Sequence, residues 1–63
     1  HLRTALDQVP ASFRAVVELW LEGHDNVQIA AELGINYNTA RSRLVRGKAA
    51  LLTAYEAALG EAR

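Results

Sequence analysis

Residues that break helices occur at few places in this sequence, and they divide it into four helical segments. Of the 63 residues, one is proline and four are glycine. Leu2, Ala5, Leu6 and Val9 follow the i, i+3, i+4, i+7 spacing of a helix with one apolar stripe. Pro10 ends that pattern and suits the opening of a second helix, where a missing N–H costs nothing. Phe13, Val16, Val17, Trp20 and Leu21 repeat the spacing, and all five are expected in the core. Gly23 then supplies a left-handed C-terminal stop. Asp25 or Asn26 is expected to N-cap a short third helix, with Ile29, Ala30 and Leu33 buried and Gly34 ending it. Ile35 follows as an apolar plug and Asn36 as a second N-cap. The fourth helix is predicted from Tyr37 to about residue 58, with Ala40, Leu44, Leu51, Tyr55 and Ala58 along its stripe.

A chain this short buries only about 60% of the surface that it exposes when unfolded, so its stability margin is thin. Hydrophobic residues make up 51% of it, which suits a compact bundle and not a disordered segment. Without cysteine it has neither disulfides nor thiolate zinc ligands to supplement a small core. No apolar run approaches the roughly 18–20 residues that span a bilayer, and no signal peptide is visible, so a cytoplasmic protein without membrane contact is expected. The chain does not start with methionine and is read as a domain cut from a longer protein.

The formal net charge is zero, but the charges are unevenly placed. Residues 1–32 carry Arg3 and Arg14 against Asp7, Glu18, Glu22, Asp25 and Glu32, a balance of minus three. Residues 33–55 carry Arg41, Arg43, Arg46 and Lys48 with no acid, a balance of plus four. A basic segment in acidic surroundings suits a local phosphate-binding face, although a cluster alone is more often a solvated helix surface.

Position separates the two readings. Gly34-Ile35-Asn36 has the length and residue types of a helix-turn-helix turn, and Ala30 lets the two helices approach closely. At about 100° per residue, Ala40, Leu44, Gly47 and Leu51 define the core side of the fourth helix. Asn38, Ser42, Val45 and Ala49 point the opposite way, flanked by Arg41 and Arg46. Short side chains between guanidinium groups let a helix enter a major groove, reaching base edges and phosphates. The helix N-terminus favours a phosphate near Asn36 to Asn38. The candidate DNA-binding residues are therefore Tyr37, Asn38, Thr39, Arg41, Ser42, Val45, Arg46 and Lys48, with Tyr37 either packing on the turn or stacking on the DNA backbone.

Val9-Pro10, Val16-Val17-Glu18-Leu19, Leu21-Glu22-Gly23, Ile29 to Ile35 and Thr39 to Leu44 together resemble region 4 of bacterial sigma factors. The Arg41-Ser42-Arg43-Leu44 run, followed by Arg46 and Lys48, is most similar to the extracytoplasmic-function group. This resemblance over residues 3–55 implies an all-α, four-helix domain containing a helix-turn-helix, winged-helix-like but without a wing. It also implies binding to the −35 promoter element as part of a sigma factor that directs RNA polymerase. On the resemblance, base contacts fall to Arg41, Ser42 and Val45 and phosphate contacts to positions such as Arg46. The implied partners are double-stranded promoter DNA, the flap of the polymerase beta subunit and an anti-sigma factor; the isolated domain is expected to be monomeric. The whole chain would be one such domain, its recognition helix at about 37–58. Three positions depart from the family pattern. Asn38 stands where glycine is usual and adds an amide able to contact a base. Ala40 stands where valine is usual, removing core volume and loosening the recognition helix. Asp25 opens the third helix, either repelling phosphate or serving as a cap.

His1 and His24 lie far apart with no ligand pattern, no nucleophile–base arrangement can be built, and no glycine loop cradles a phosphate. No enzyme activity, cofactor or metal is expected. Two alternatives stay open: a sigma-like module that engages an anti-sigma factor without reading DNA, and the effector domain of a response regulator.

Overall fold

In the computed structural model, which describes residues 1–61, four helices follow one another: α1 (Leu2–Gln8), α2 (Ala11–Leu21), α3 (Asn26–Leu33) and α4 (Tyr37–Glu61). No strand, and so no wing, occurs among the described residues. Arg63, one of the seven basic residues in the net charge, lies outside them. At 1.5 Å per residue α4 is about 37 Å long, which sets the long axis of a body measuring 40 × 17 × 15 Å. The three shorter helices all pack on α4, and α2 also packs on α3.

Local chemistry accounts for each junction. Pro10 is the N-cap of α2, and its carbonyl accepts from the Phe13 and Arg14 N–H groups at 2.9 and 3.0 Å. The Arg14 side chain then reaches back to the end of α1. Its Nε donates to the Leu6 carbonyl at 3.2 Å, and one terminal nitrogen donates to Asp7 and Val9 carbonyls at 3.1 and 2.9 Å. A cation against the open carbonyls of a helix C-terminus opposes the negative end of its dipole and ties the corner together. Gly23, at φ +100°, closes α2 in a Schellman pattern: its N–H donates to Trp20 O at 2.9 Å, and the His24 N–H to Leu19 O at 3.1 Å. The His24 ring nitrogen Nδ1 sits 3.1 Å from the same Leu19 carbonyl.

Asp25 does cap α3. Its carboxylate accepts from the Gln28 N–H at 2.8 Å while the Gln28 side-chain oxygen accepts from the Asp25 N–H at 2.9 Å, a reciprocal capping box. Ala40 is wholly buried, and α4 runs unbroken through it.

The buried cluster is built mainly from small and medium side chains: Ala5, Val9, Val16, Val17, Ile29, Ala30, Ala40, Leu44 and Leu51. Phe13, Leu33, Ile35 and Tyr55 pack against it partly buried. Two core expectations for α2 need correction, and a third residue of the apolar stripes joins them. Trp20 is 38% exposed and Leu21 42%, and Leu2 on α1 is exposed as well. Periodicity gives the direction of a stripe but not how far a partner helix covers it. At this end of α2, Leu51, Leu52 and Tyr55 of α4 form the far wall of an open apolar groove with Leu2, Trp20 and Leu21. Lys48 closes part of it, its ammonium 4.9 Å from the Trp20 ring centroid in a cation–π contact.

Candidate nucleic-acid interface

The turn between α3 and α4 forms from its own residues. Gly34 adopts φ +67°, which an L side chain enters only with strain, and a Cβ there would meet nothing, so its requirement is conformational. The Ile35 N–H donates to Ala30 O at 3.0 Å, seating Ile35 half-buried against the core. The Asn36 side-chain oxygen accepts from the Thr39 N–H at 2.7 Å and so caps α4. The Tyr37 and Asn38 amides in that first turn have no intrahelical acceptor and remain available to an outside one.

From this start, α4 buries Ala40, Leu44, Gly47 and Leu51 and turns its opposite side outward. Asn38, Arg41, Ser42, Val45 and Arg46 line one shallow exposed groove along that side. Val45 is 58% exposed there, an apolar methyl surface with nothing in the fold to cover it. Thr39 is half-buried and Tyr37, 48% exposed, opens the helix on the Arg41 flank. Lys48 is the candidate that stands apart, since it lies over Trp20 on the apolar groove.

Two further residues lie beside this strip, Arg43 and Ser12, neither of them part of the fourth helix's outward face. Arg43 lies about 100° round the helix from Ser42 and is half-buried. It lines a second depression, continuous with the strip through Asn38, Ser42 and Arg46, together with Asn36 and Thr39 of the turn and α4 and with Ser12 and Phe13 of α2. The acid-free run of residues 33–55 contained the clue to Arg43; Ser12 had none, because only packing brings α2 beside it.

What the arrangement can do is bind, by hydrogen bonds and charge, a polyanion with a groove wide enough for a helix. Among the described residues, no group of three or more His, Asp or Glu is placed to hold a metal ion, and no helix is long and apolar enough to cross a membrane.

Comparison with known proteins agrees with this geometry. Residues 1–51 match the family model described as sigma-70, region 4. A curated relative, the ECF RNA polymerase sigma factor SigE of Mycolicibacterium smegmatis, is 46% identical over 48 residues, covering 75% of this chain and 19% of that protein. The chain thus aligns with about a fifth of that relative's length. No solved structure matches the chain significantly. With its four helices, its helix-turn-helix and a family match that takes in both the turn and the outward strip, the chain belongs to the sigma-70 region 4 family.

Proposed function

We propose that this chain is the −35 promoter-reading domain of an extracytoplasmic-function sigma factor, a part of a longer protein that directs RNA polymerase to its promoters. The observation that carries the reading is the exposed strip Asn38, Arg41, Ser42, Val45 and Arg46 on a helix that has no acid between Leu33 and Tyr55. Arg41 is the strongest candidate for a base contact, because a guanidinium can pair bidentately with a guanine edge. Ser42, Val45 and Asn38 supply the short side chains that permit close approach, and Arg46, Thr39 and Tyr37 face the backbone. The domain acts by binding in the cytoplasm, without a cofactor or catalysis, and is monomeric on its own.

The apolar groove of Leu2, Trp20, Leu21, Leu51, Leu52 and Tyr55 lies off this strip and suits a protein partner. We assign it to the flap of the polymerase beta subunit and to a competing anti-sigma factor. The groove also favours a second reading, in which the domain engages only an anti-sigma factor. The test is selection of duplexes from a random DNA pool, followed by titration of the recovered duplex at several salt concentrations. With three or four phosphates neutralised, a fourfold rise in salt should weaken binding by about 40- to 150-fold, from a slope of about −0.9 per phosphate. A domain of the second kind would recover no consensus and show no saturable shift of α4 resonances.

A further inference from the structure

Lys48 belongs by position to one surface and by contact to another. It follows Arg41 by seven residues, two turns along α4, which returns it to the same flank of the reading strip within about 20°. Val45 of the strip precedes it by three residues and Leu52 of the apolar groove follows it by four, so it stands on the ridge between the two. Its ammonium nevertheless lies 4.9 Å from the Trp20 ring centroid, over the groove. No acid of α4 is nearer in sequence than Glu56, eight residues on, so its own helix offers no competing carboxylate. The ring is a weak holder, since an exposed cation–π contact retains a lysine by a factor of only about 2–5. A duplex that takes α4 into its major groove lines both flanks of the helix with phosphates, and a compact charge on a flexible four-carbon stem can turn to meet them.

We infer that Lys48 is a relay between the apolar groove and the reading strip: it covers Trp20 in the free domain and transfers to the duplex when the strip is occupied. This rests on the promoter-reading function and on the flap-binding groove proposed above. The transfer uncovers the Trp20 face when the domain is on DNA, so duplex binding readies the groove for the polymerase flap. Linkage makes the effect reciprocal, because a flap that covers Trp20 displaces the ammonium and releases it to the DNA. The gain for either ligand is bounded by the contact that no longer has to be broken, about 2- to 5-fold. The competing explanation is that Lys48 only shields apolar surface with its stem and stays on Trp20 throughout.

The experiment follows Lys48 with and without its ring. The 63-residue chain, Trp20→Leu, Lys48→Gln and the double variant are titrated with the pool-selected duplex by fluorescence anisotropy over a fourfold salt range, with circular dichroism as the folding control. Trp20→Leu removes the ring and keeps an apolar side chain, and it should bind the duplex about 2- to 5-fold more tightly than the parent. In the Lys48→Gln background the same substitution should change nothing. Lys48→Gln alone should flatten the log–log salt slope by about 0.9, so that the parent's advantage shrinks about 3.5-fold across the range. Trp20 is the chain's single tryptophan and lies off the strip, so its emission on saturation with duplex should shift in the parent and stay fixed in Lys48→Gln. A slope that persists in Lys48→Gln, a parent emission that ignores the duplex, or a Trp20→Leu gain that survives without Lys48 overturns the relay and leaves the promoter-reading function standing. If Trp20→Leu does not fold, the slope and the emission decide alone. A parent chain with no salt-dependent duplex binding overturns both.

Discussion

Replacing Gly47 with alanine sets two opposite effects against each other, and the structure says which is larger. In a helix interior alanine is favoured over glycine by about 1 kcal/mol. At Gly60, where a Cβ would meet nothing within 4 Å, that preference acts alone, reduced only by the nearness of the helix end. At Gly47 the new Cβ would fall 2.5 Å from Val17 Cγ2 and 3.2 Å from Phe13 Cβ. Carbon atoms prefer roughly 3.5–4.0 Å, so the first contact is short by at least about 1 Å. Val17 is wholly buried and β-branched, which leaves its methyl little room to rotate away. The α2 backbone must shift instead, and overpacking of this kind costs about 1–3 kcal/mol. Against the Gly60→Ala control, which carries the propensity gain without the overlap, Gly47→Ala should be less stable by about 1–3 kcal/mol. In a domain this size each kcal/mol moves Tm by about 4–8 °C, so the two variants should melt at least about 4 °C apart by circular dichroism. Adding Val17→Ala to Gly47→Ala should recover part of the loss, giving a favourable coupling of about 1 kcal/mol or more in the double-mutant cycle. Equal melting temperatures for Gly47→Ala and Gly60→Ala would refute the close approach, and with it the packing argument that places Ser12 beside Arg43.

Other perturbations address single features. Asp25→Ala removes the reciprocal cap of α3 and should cost about 1 kcal/mol in a urea titration, whereas Asp25→Asn, which keeps an acceptor oxygen, should cost distinctly less. Arg14→Met preserves the stem but loses three bonds to the α1 carbonyls. Hydrogen bonds from a charged group contribute about 1.5–3 kcal/mol when buried; this one is half-exposed, so a loss of about 1–2 kcal/mol is expected, with faster amide exchange in α1 before global unfolding. Arg41→Ala should weaken binding to the selected duplex by about 1–3 kcal/mol and relax preference at one base position, seen by repeating the pool selection. Leu52→Asp should leave duplex binding intact and abolish capture of the beta-subunit flap; loss of both together would contradict the separation of the apolar groove from the reading strip.

Much of the fold was legible because its signals are local. Pro10, Gly23 and Gly34 stop or start helices through their own backbone geometry, and Asp25 and Asn36 cap them with their own side chains. The reading strip was legible for a similar reason: on one straight helix, spacing alone fixes which side chains share a face, and Asn38, Arg41, Ser42, Val45 and Arg46 do. α4 continues past the expected residue 58 as far as Glu61, the last of the described residues. Alanine-rich sequence carries no stop signal there until Gly60, and glycine within a helix is only weakly unfavourable.

Four helices, their caps, the helix-turn-helix and its outward strip were thus determined by the sequence itself, since each depends on residues within a few positions of one another. Tertiary structure alone decided that Trp20 and Leu21 would border an open groove, that Lys48 would lie on Trp20 and not along the strip, and that Arg14 would hold the end of α1. It also decided that Ser12 would stand beside Arg43. Those outcomes depend on where one helix crosses another and how far it extends past the crossing. That crossing is governed by the volumes meeting at the contact, above all the missing side chain of Gly47, and no periodicity within either helix encodes it.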